Sequence, residues 1–311
     1  MAELSEPTEP TEPTEPIQLV EPTESDLPDN WGRWGPDDEL GTLNLITDDV
    51  RANAAAEVRT GRWASLAQPI TPNPMISSPF APTTVDVSPV QQMMAHTGVG
   101  VAADLMLVTN HHAKSTHIDA LAHWSSDGEV YPGRPRDQAV TAGGVTFGST
   151  TAFAAGIVTR GVLLDLAAEE PLPAGHAVTS RDFEEAEKRQ GVEVRSGDAL
   201  AVRFGWPADP LITDRPTPGI SLDAVRWMHR RGVSLYTGDR GDAYPALDPA
   251  GPSPLHGVAL GRLAMPLIDA SLLDDLAALC AELARYSFML TVAPPRVHGL
   301  TGAPVNPIAT F

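Results

Sequence analysis

The chain has 311 residues, 42% of them apolar and 20% charged, and a formal net charge of −19. That length buries a substantial core and sits at the upper edge of one domain, while the acidic excess argues against nucleic acid or an anionic membrane as partner. No apolar run approaches the roughly 20 residues needed to cross a bilayer, and neither a basic segment nor an apolar signal core opens the chain, so the expected location is cytoplasmic.

Residues 1–30 repeat a Glu-Pro-Thr unit and carry seven Glu and two Asp with no Lys or Arg. Proline removes amide donors and little apolar recurs to pack, so this stretch reads as a disordered acidic arm ahead of a single domain over 31–311. WGRWGPDDELGTLNLIT (31–47) follows as a turn-rich segment, and Thr47 is placed to cap a helix over DDVRANAAAEVRT that Gly61 would end. From Trp63 to Val90 six prolines oppose helix, so extended loops and edge strands are expected.

Short apolar runs then mark strands: DLMLVT (104–109), GIVTRGVLLDL (156–166), ALAVRF (199–204), VSLYT (233–237) and SFMLTVA (287–293). Helices with readable ends lie between them. Ser180 precedes RDFEEAEKRQ with Gly191 after it, Ser221 precedes LDAVRWMHRR with Gly232 after it, and Ser271 with Asp274 resembles a capping box before LLDDLAALCAELARY. The alternation predicts an α/β domain with parallel or mixed pairing. The lone Cys280 lies in the last helical run and is read as a packed thiol.

HHAKSTHIDALAHW, residues 111–124, holds four of the nine histidines. In an extended segment His117 and Asp119 project to one face while Ile118 points to the core, so the imidazole and carboxylate can share one cation. Nitrogen and oxygen donors of this kind suit Zn or Mn. A helical turn beginning at Ala120 would return His123 to the same spot, where a histidine beside an ion serves as a base. The alternative is a packed helix start with His123 bonded to backbone. A straight strand would leave His112 about 16 Å from His117, so only a bend through Ala113, Lys114 and Ser115 would bring it in.

The Trp31–Thr47 segment, His117-x-Asp119 with His123, RSGDALAVRFGW (195–206) and GLTGAPVNPIA (299–309) resemble, in that order, the cyclase superfamily that includes kynurenine formamidase and isatin hydrolase. The resemblance implies an α/β fold: a swivelling β/β/α domain with a mixed sheet and flanking helices. The family signature is His-x-Gly-Thr-His-x-Asp-x-Pro-x-His. On this chain it makes His117 and Asp119 metal ligands and His123 the base, with Ala113 where the first His would stand, Ser115 for Gly and Leu121 for Pro. His256 and Asp269 match the remaining ligands. For the place of Ala113 three outcomes stand open: His112 enters through a bulge, with His111 as second choice; the ion is held by fewer protein ligands; or it is lost.

By the same resemblance Trp31, Trp34 and Asn44 shape a substrate pocket, against the plainer reading of packing anchors. Asp239 is expected to cap a turn, Asn306 to lock the C-terminal turn, and His96, His176, His229 and His298 to be structural or on the surface. The implied activity is metal-dependent hydrolysis of an amide, lactam, imide or lactone bond in a small metabolite. Its rivals are a ring-forming or dehydrating enzyme and a non-catalytic small-molecule binder. No Gly-x-Ser-x-Gly elbow supports a serine hydrolase. A homodimer or homotetramer is the expected assembly.

Overall fold

Nine strands of one mixed sheet carry the core, and their order across the sheet follows from which runs are fully apolar. The computed structural model describes residues 27–74, 88–97, 100–206 and 215–311; the expectation for the acidic arm falls almost wholly outside them. From one edge the strands run Trp63–Ser65, Ile308–Thr310, Ser287–Val292, Ile157–Asp165, Ala199–Arg203, Leu235–Gly238, Leu267–Asp269, His117–Asp119 and Gly302–Pro304. Ile157–Asp165, Ala199–Arg203, Leu235–Gly238 and Leu267–Asp269 pair in parallel, and the strands flanking them pair antiparallel. The central strands read as near-continuous apolar runs because both faces are covered; the edge pair Trp63–Ser65 and Ile308–Thr310 does not.

The helices supply the cover. Thr47 caps Asp48–Ala55 by accepting from the Val50 amide, but the helix stops at Ala55, well before Gly61. Ser180–Gln190 starts one residue earlier than expected, with Thr179 rather than Ser180 as its cap: the Asp182 carboxylate accepts from both the Thr179 amide and its hydroxyl. Ser221 caps Leu222–Arg231, and Gly191 and Gly232 end their helices in the left-handed conformation, at φ 63° and 68°. The last helix is Asp274–Leu283 rather than one capped at Ser271. The Ser271 hydroxyl is taken by Thr237 at 2.7 Å, so a contact between neighbouring strand ends outcompetes the local box. Cys280 is buried on this helix, as expected.

Gly161 shows how tightly the sheet is covered. It pairs with Phe288 across the Ile157–Asp165 and Ser287–Val292 ladder, and a Cβ there would stand 2.3 Å from Phe288 Cε2. Gly161→Ala is therefore expected to cost about 1–3 kcal/mol of stability, read as a lower urea midpoint at unchanged slope.

One element leaves the sheet altogether. Val90–Thr97 and Val101–Val108 form an antiparallel ribbon, longer than the predicted strand 104–109. Its Met93, Met94, Val101, Leu105, Met106, Leu107 and Val108 side chains are exposed, Met106 to 59%.

Candidate metal and catalytic site

The parallel strands end together, and groups at their carboxyl ends face the crevice that open α/β sheets use for ligands. Asp269 is the last residue of Leu267–Asp269 and registers with His117, the first residue of the antiparallel neighbour, while Asp119 registers with Leu267. Alternation along His117–Asp119 puts both polar side chains on one face, with His117 Nε2 3.6 Å from Asp119 Oδ1, and Ile118 fully buried on the other. Ala270, just past Asp269, holds a left-handed φ of 57°. Its carbonyl accepts from Thr116 Oγ1 and Gln68 Nε2, both at 2.7 Å, and these bonds fix the turn that presents Asp269.

His111 reaches the site because the chain turns before the strand begins. The Ser115 amide donates to the His112 carbonyl at 2.8 Å, folding residues 112–115 back on themselves. His111 Nδ1 then lies 2.8 Å from Asp119 Oδ1, and its Nε2 bonds Thr301 Oγ1 at 2.9 Å. Gly302 makes the room: a Cβ there would stand 2.4 Å from His111 Cε1. Gly302→Ala is expected to push His111 off Asp119 and to weaken divalent-metal binding by about 10–100-fold, the scale of losses from supporting residues, measured by titrating Zn or Mn into metal-free protein.

His256 arrives on a π-helical segment, Pro254–Leu260, a geometry that recurs at functional sites. Asp242 holds this segment's start, accepting from the Leu255 amide at 2.8 Å, the His256 amide at 3.2 Å and the Ser253 hydroxyl. It also accepts from His256 Nδ1 at 2.7 Å. His117 Nδ1 donates to the Ser115 carbonyl at 2.7 Å. A carbonyl only accepts, so Nδ1 carries a proton and Nε2 is the ring nitrogen turned toward Asp119. Both rings are thus oriented from behind, as metal-ligating histidines usually are. Among the described residues, His123, on the 3₁₀ turn Leu121–His123, has no hydrogen bond to its ring nitrogens; it stacks on His111 at 3.8 Å between centroids.

Asp119 decides the electrostatics. It is fully buried, yet neither carboxylate oxygen has a hydrogen-bond partner, and His111 Nδ1 is likewise enclosed without one. Two buried ligand atoms 2.8 Å apart that do not bond each other point at a common third position; ligands about 2.1 Å from one ion at right angles stand roughly 3 Å apart. His111, His117 and Asp119 form one group of potential ligands and Asp119, His123 and His256 a second, sharing Asp119. The donor set fits a divalent metal ion.

Protonation follows from the same crowd. Burial would raise the Asp119 pKa, but His111 and His256 beside it, with smaller contributions from His123 and His117, hold it well below the usual carboxylate range. Burial would lower His256, yet Asp119, Asp242 and Asp269 around it drive its pKa far up. His123 is pulled down to about 4, chiefly by burial and partly offset by Asp119, so near neutrality it is an uncharged base.

The Cyclase family model matches residues 54–242. The chain belongs to the cyclase family. This cyclase is similar to a solved structure of a novel cyclase, at 29% identity and a TM-score of 0.77, over 91% of this chain and 99% of that one. It also resembles isatin hydrolase A from Ralstonia solanacearum, at 20% identity, TM-score 0.55, over 80% and 91% of the two chains. An isatin hydrolase bound to the product analogue thioisatinate follows, at 18% identity, TM-score 0.55, over 82% and 93%. No curated protein matches. The mixed sheet with flanking helices is the fold expected for the family.

In this cyclase His117, Asp119, His123, His256 and Asp269 converge as the sequence predicted; His256 Nε2 is 3.5 Å from Asp119 Oδ2 and 3.4 Å from Asp269 Oδ2. The geometry corrects the choice at the vacant position. His111 stands against Asp119, whereas His112 Nδ1 accepts from the Lys114 amide at 3.1 Å and His112 belongs to neither ligand group. The bend expected through Ala113, Lys114 and Ser115 is present, but it carries in His111, the second choice, rather than His112.

The pocket residues read from the N-terminal motif do other work. Trp31 donates its indole N–H to the Gly261 carbonyl at 3.2 Å, Trp34 lies under the Arg33 guanidinium at 4.6 Å, and Asn44 bonds Asp38 at 2.7 Å and the Gly41 carbonyl at 3.0 Å. They anchor packing and a turn, and none lines the cavity beside His256. Asp239 caps a turn as expected, accepting from the Phe204 and Gly205 amides at 2.8 and 2.9 Å. Sequence reasoning missed Asp242 and Trp124. The second Asp of TGDRGD, just past a strand's carboxyl end, was the available signal for Asp242.

A cavity of ≈ 800 Å³ opens beside His256, walled by Trp124, Leu222, Asp242, Pro252, Ser253 and Pro254, among others. The Trp124 ring is 5.5 Å from that of His256.

Proposed function

We propose that this protein is a hydrolase of an amide, lactam, imide or lactone bond in a small metabolite, with Zn or Mn as its ion. What supports this reading above all is the buried, hydrogen-bond-free carboxylate of Asp119 ringed by imidazole nitrogens, with a cavity lined by Trp124 and Asp242, both neighbours of His256. His111, His117, Asp119, His256 and Asp269 would hold the ion. A bound divalent ion would supply a water acidified toward neutrality and would polarise the substrate carbonyl. His123 takes the proton at a ring nitrogen and returns it to the leaving nitrogen or oxygen. Asp242 and the Ser115 carbonyl hold His256 and His117 in their tautomers.

Purified protein is tested by elemental analysis and by incubation with N-formylkynurenine, isatin and simple lactones, with and without Mn²⁺ or Zn²⁺. About one equivalent of metal or more per chain and metal-stimulated turnover support the hydrolase. Absence of both overturns it, and binding of a ligand without turnover points to the non-catalytic rival.

Assembly into a homo-oligomer, a dimer or tetramer, is part of the same proposal. It is supported by the exposed ribbon, Val90–Thr97 and Val101–Val108. In a chain of net charge −19 the ribbon carries one acidic residue, Asp104, so two copies can meet there with least repulsion. Met106→Glu should shift the mass measured by light scattering to the monomer; an unchanged mass removes the ribbon as the interface.

A further inference from the structure

The cavity walled by Trp124 and Asp242 holds a cation with one long ion pair. Of the residues that line it, Arg262 is the sole Lys or Arg, in company with Asp127, Asp242 and Asp248. The guanidinium has no hydrogen bond among the described residues. The nearest carboxylate, Asp29, stays 3.7 Å from it, and its Nε is enclosed without a partner. With 40 acidic residues to 21 basic ones, paired arginines are easily made in this chain. Arg203 takes Asp165 at 3.0 Å and Asp274 at 2.8 Å, and Arg231 takes Glu187 at 2.8 Å. A permanently charged fork with five donors, only 21% exposed and met by one carboxylate at 3.7 Å, carries a desolvation cost that an incoming anion would offset.

Trp124 and the backbone relate this cation to the site. The Trp124 ring lies 5.5 Å from His256 on one side. On the other it packs on the residue before Arg262: a Cβ on Gly261 would meet Trp124 Cδ1 at 3.1 Å and Ser126 Oγ at 2.8 Å. The Trp31 bond to the Gly261 carbonyl fixes that backbone from outside. Trp124 thus adjoins both His256 and the backbone that carries Arg262.

We propose that the substrate bears a carboxylate, held by Arg262 as a two-pronged pair, on an apolar or aromatic body seated against Trp124, with its reacting carbonyl toward His256 and His123. Planar forked recognition is what distinguishes arginine from lysine in such a role. The inference deepens the hydrolase reading and rests on it for the direction of the carbonyl.

The test is a calorimetric titration with benzoate and with benzamide, which share shape and differ in charge. It is run on wild type, Arg262→Gln, Arg262→Ala and Arg262→Lys, with circular dichroism as the folding control. Benzoate is expected to bind at least about tenfold more tightly than benzamide to the wild type. Both neutral variants should erase the preference, and Arg262→Lys should keep part of it. The same titration on His117→Ala separates the two anion-binding possibilities. Preference kept there and lost in Arg262→Gln supports the assignment. Preference lost there and kept in Arg262→Gln places the carboxylate at the metal cluster and overturns it, as does equal binding of the two probes by wild type. Turnover of amides without charge preference sinks this inference and leaves the hydrolase standing; charge preference in a protein that turns over none of them does the reverse.

Discussion

Asp119→Asn is expected to strip the protein of metal, from about one equivalent or more per chain to less than about a tenth, and to remove turnover with it. The substitution keeps the volume of a fully buried side chain and deletes the charge on which His111, His117 and His256 converge. Losing a supporting residue costs about 10–100-fold in metal affinity, and losing this shared carboxylate should cost more. The fold should survive, since the charge is an expense of burial rather than a packing contribution. Elemental analysis and circular dichroism read the two outcomes separately; full metal content in Asp119→Asn would show that the ion sits elsewhere. A pH dependence accompanies this prediction. His256 has its pKa raised by Asp119, Asp242 and Asp269, so below that raised value it holds a proton it must surrender to offer Nε2. Metal affinity should therefore climb with pH, by about tenfold per unit across neutrality, and protons should appear in the solution as the ion binds.

His123→Ala is expected to leave metal content intact and to lower kcat by about 10²–10⁴-fold. Among the described residues the His123 ring has no competing hydrogen bond; it stacks on His111 and lies outside the ligand group His111, His117 and Asp119, so its loss removes a proton carrier and leaves that group whole. Because burial pulls its pKa down to about 4, partly opposed by Asp119, the ring stays uncharged as pH falls through the range where free imidazole protonates. The acid limb of the wild-type profile should accordingly lie below about 6.5, the value for a free histidine, and vanish in the variant. A variant with wild-type kcat would assign the proton transfer to another group.

Local alternation carried much of the site in plain view. His117, Ile118 and Asp119 divide between the two faces of a three-residue strand, and Ala120 to His123 turn back over it, both as the residue types dictate. The substitution of His111 for the residue missing at 113 was not legible in this way. It depends on a turn closed by one backbone bond from Ser115 and on space left by Gly302, nearly two hundred positions away. Long-range contacts also explain the misplaced end of the last helix, where Ser271 serves Thr237 rather than Asp274. The central strands and their order of alternation with helices were readable from apolar runs. Antiparallel closure by His117–Asp119 and Gly302–Pro304 was not, since three-residue strands have too short a pattern to announce a partner.

The widened helical turn at Pro254–Leu260 fixes the aim of His256 in a manner that leaves little tolerance in chain length. A helix of this kind holds one more residue per loop than its ordinary counterpart, and dropping that residue would restore better backbone geometry at the expense of swinging everything beyond it by about 100°. Asp242 clamps the near end through the Leu255 and His256 amides, and Val258 ties the far end through Arg262 and Leu263. The imidazole and the guanidinium six positions later are consequently set by one shared spacer, so evolution or design can lengthen the loops around this cleft far more freely than it can trim the spacer between those two groups.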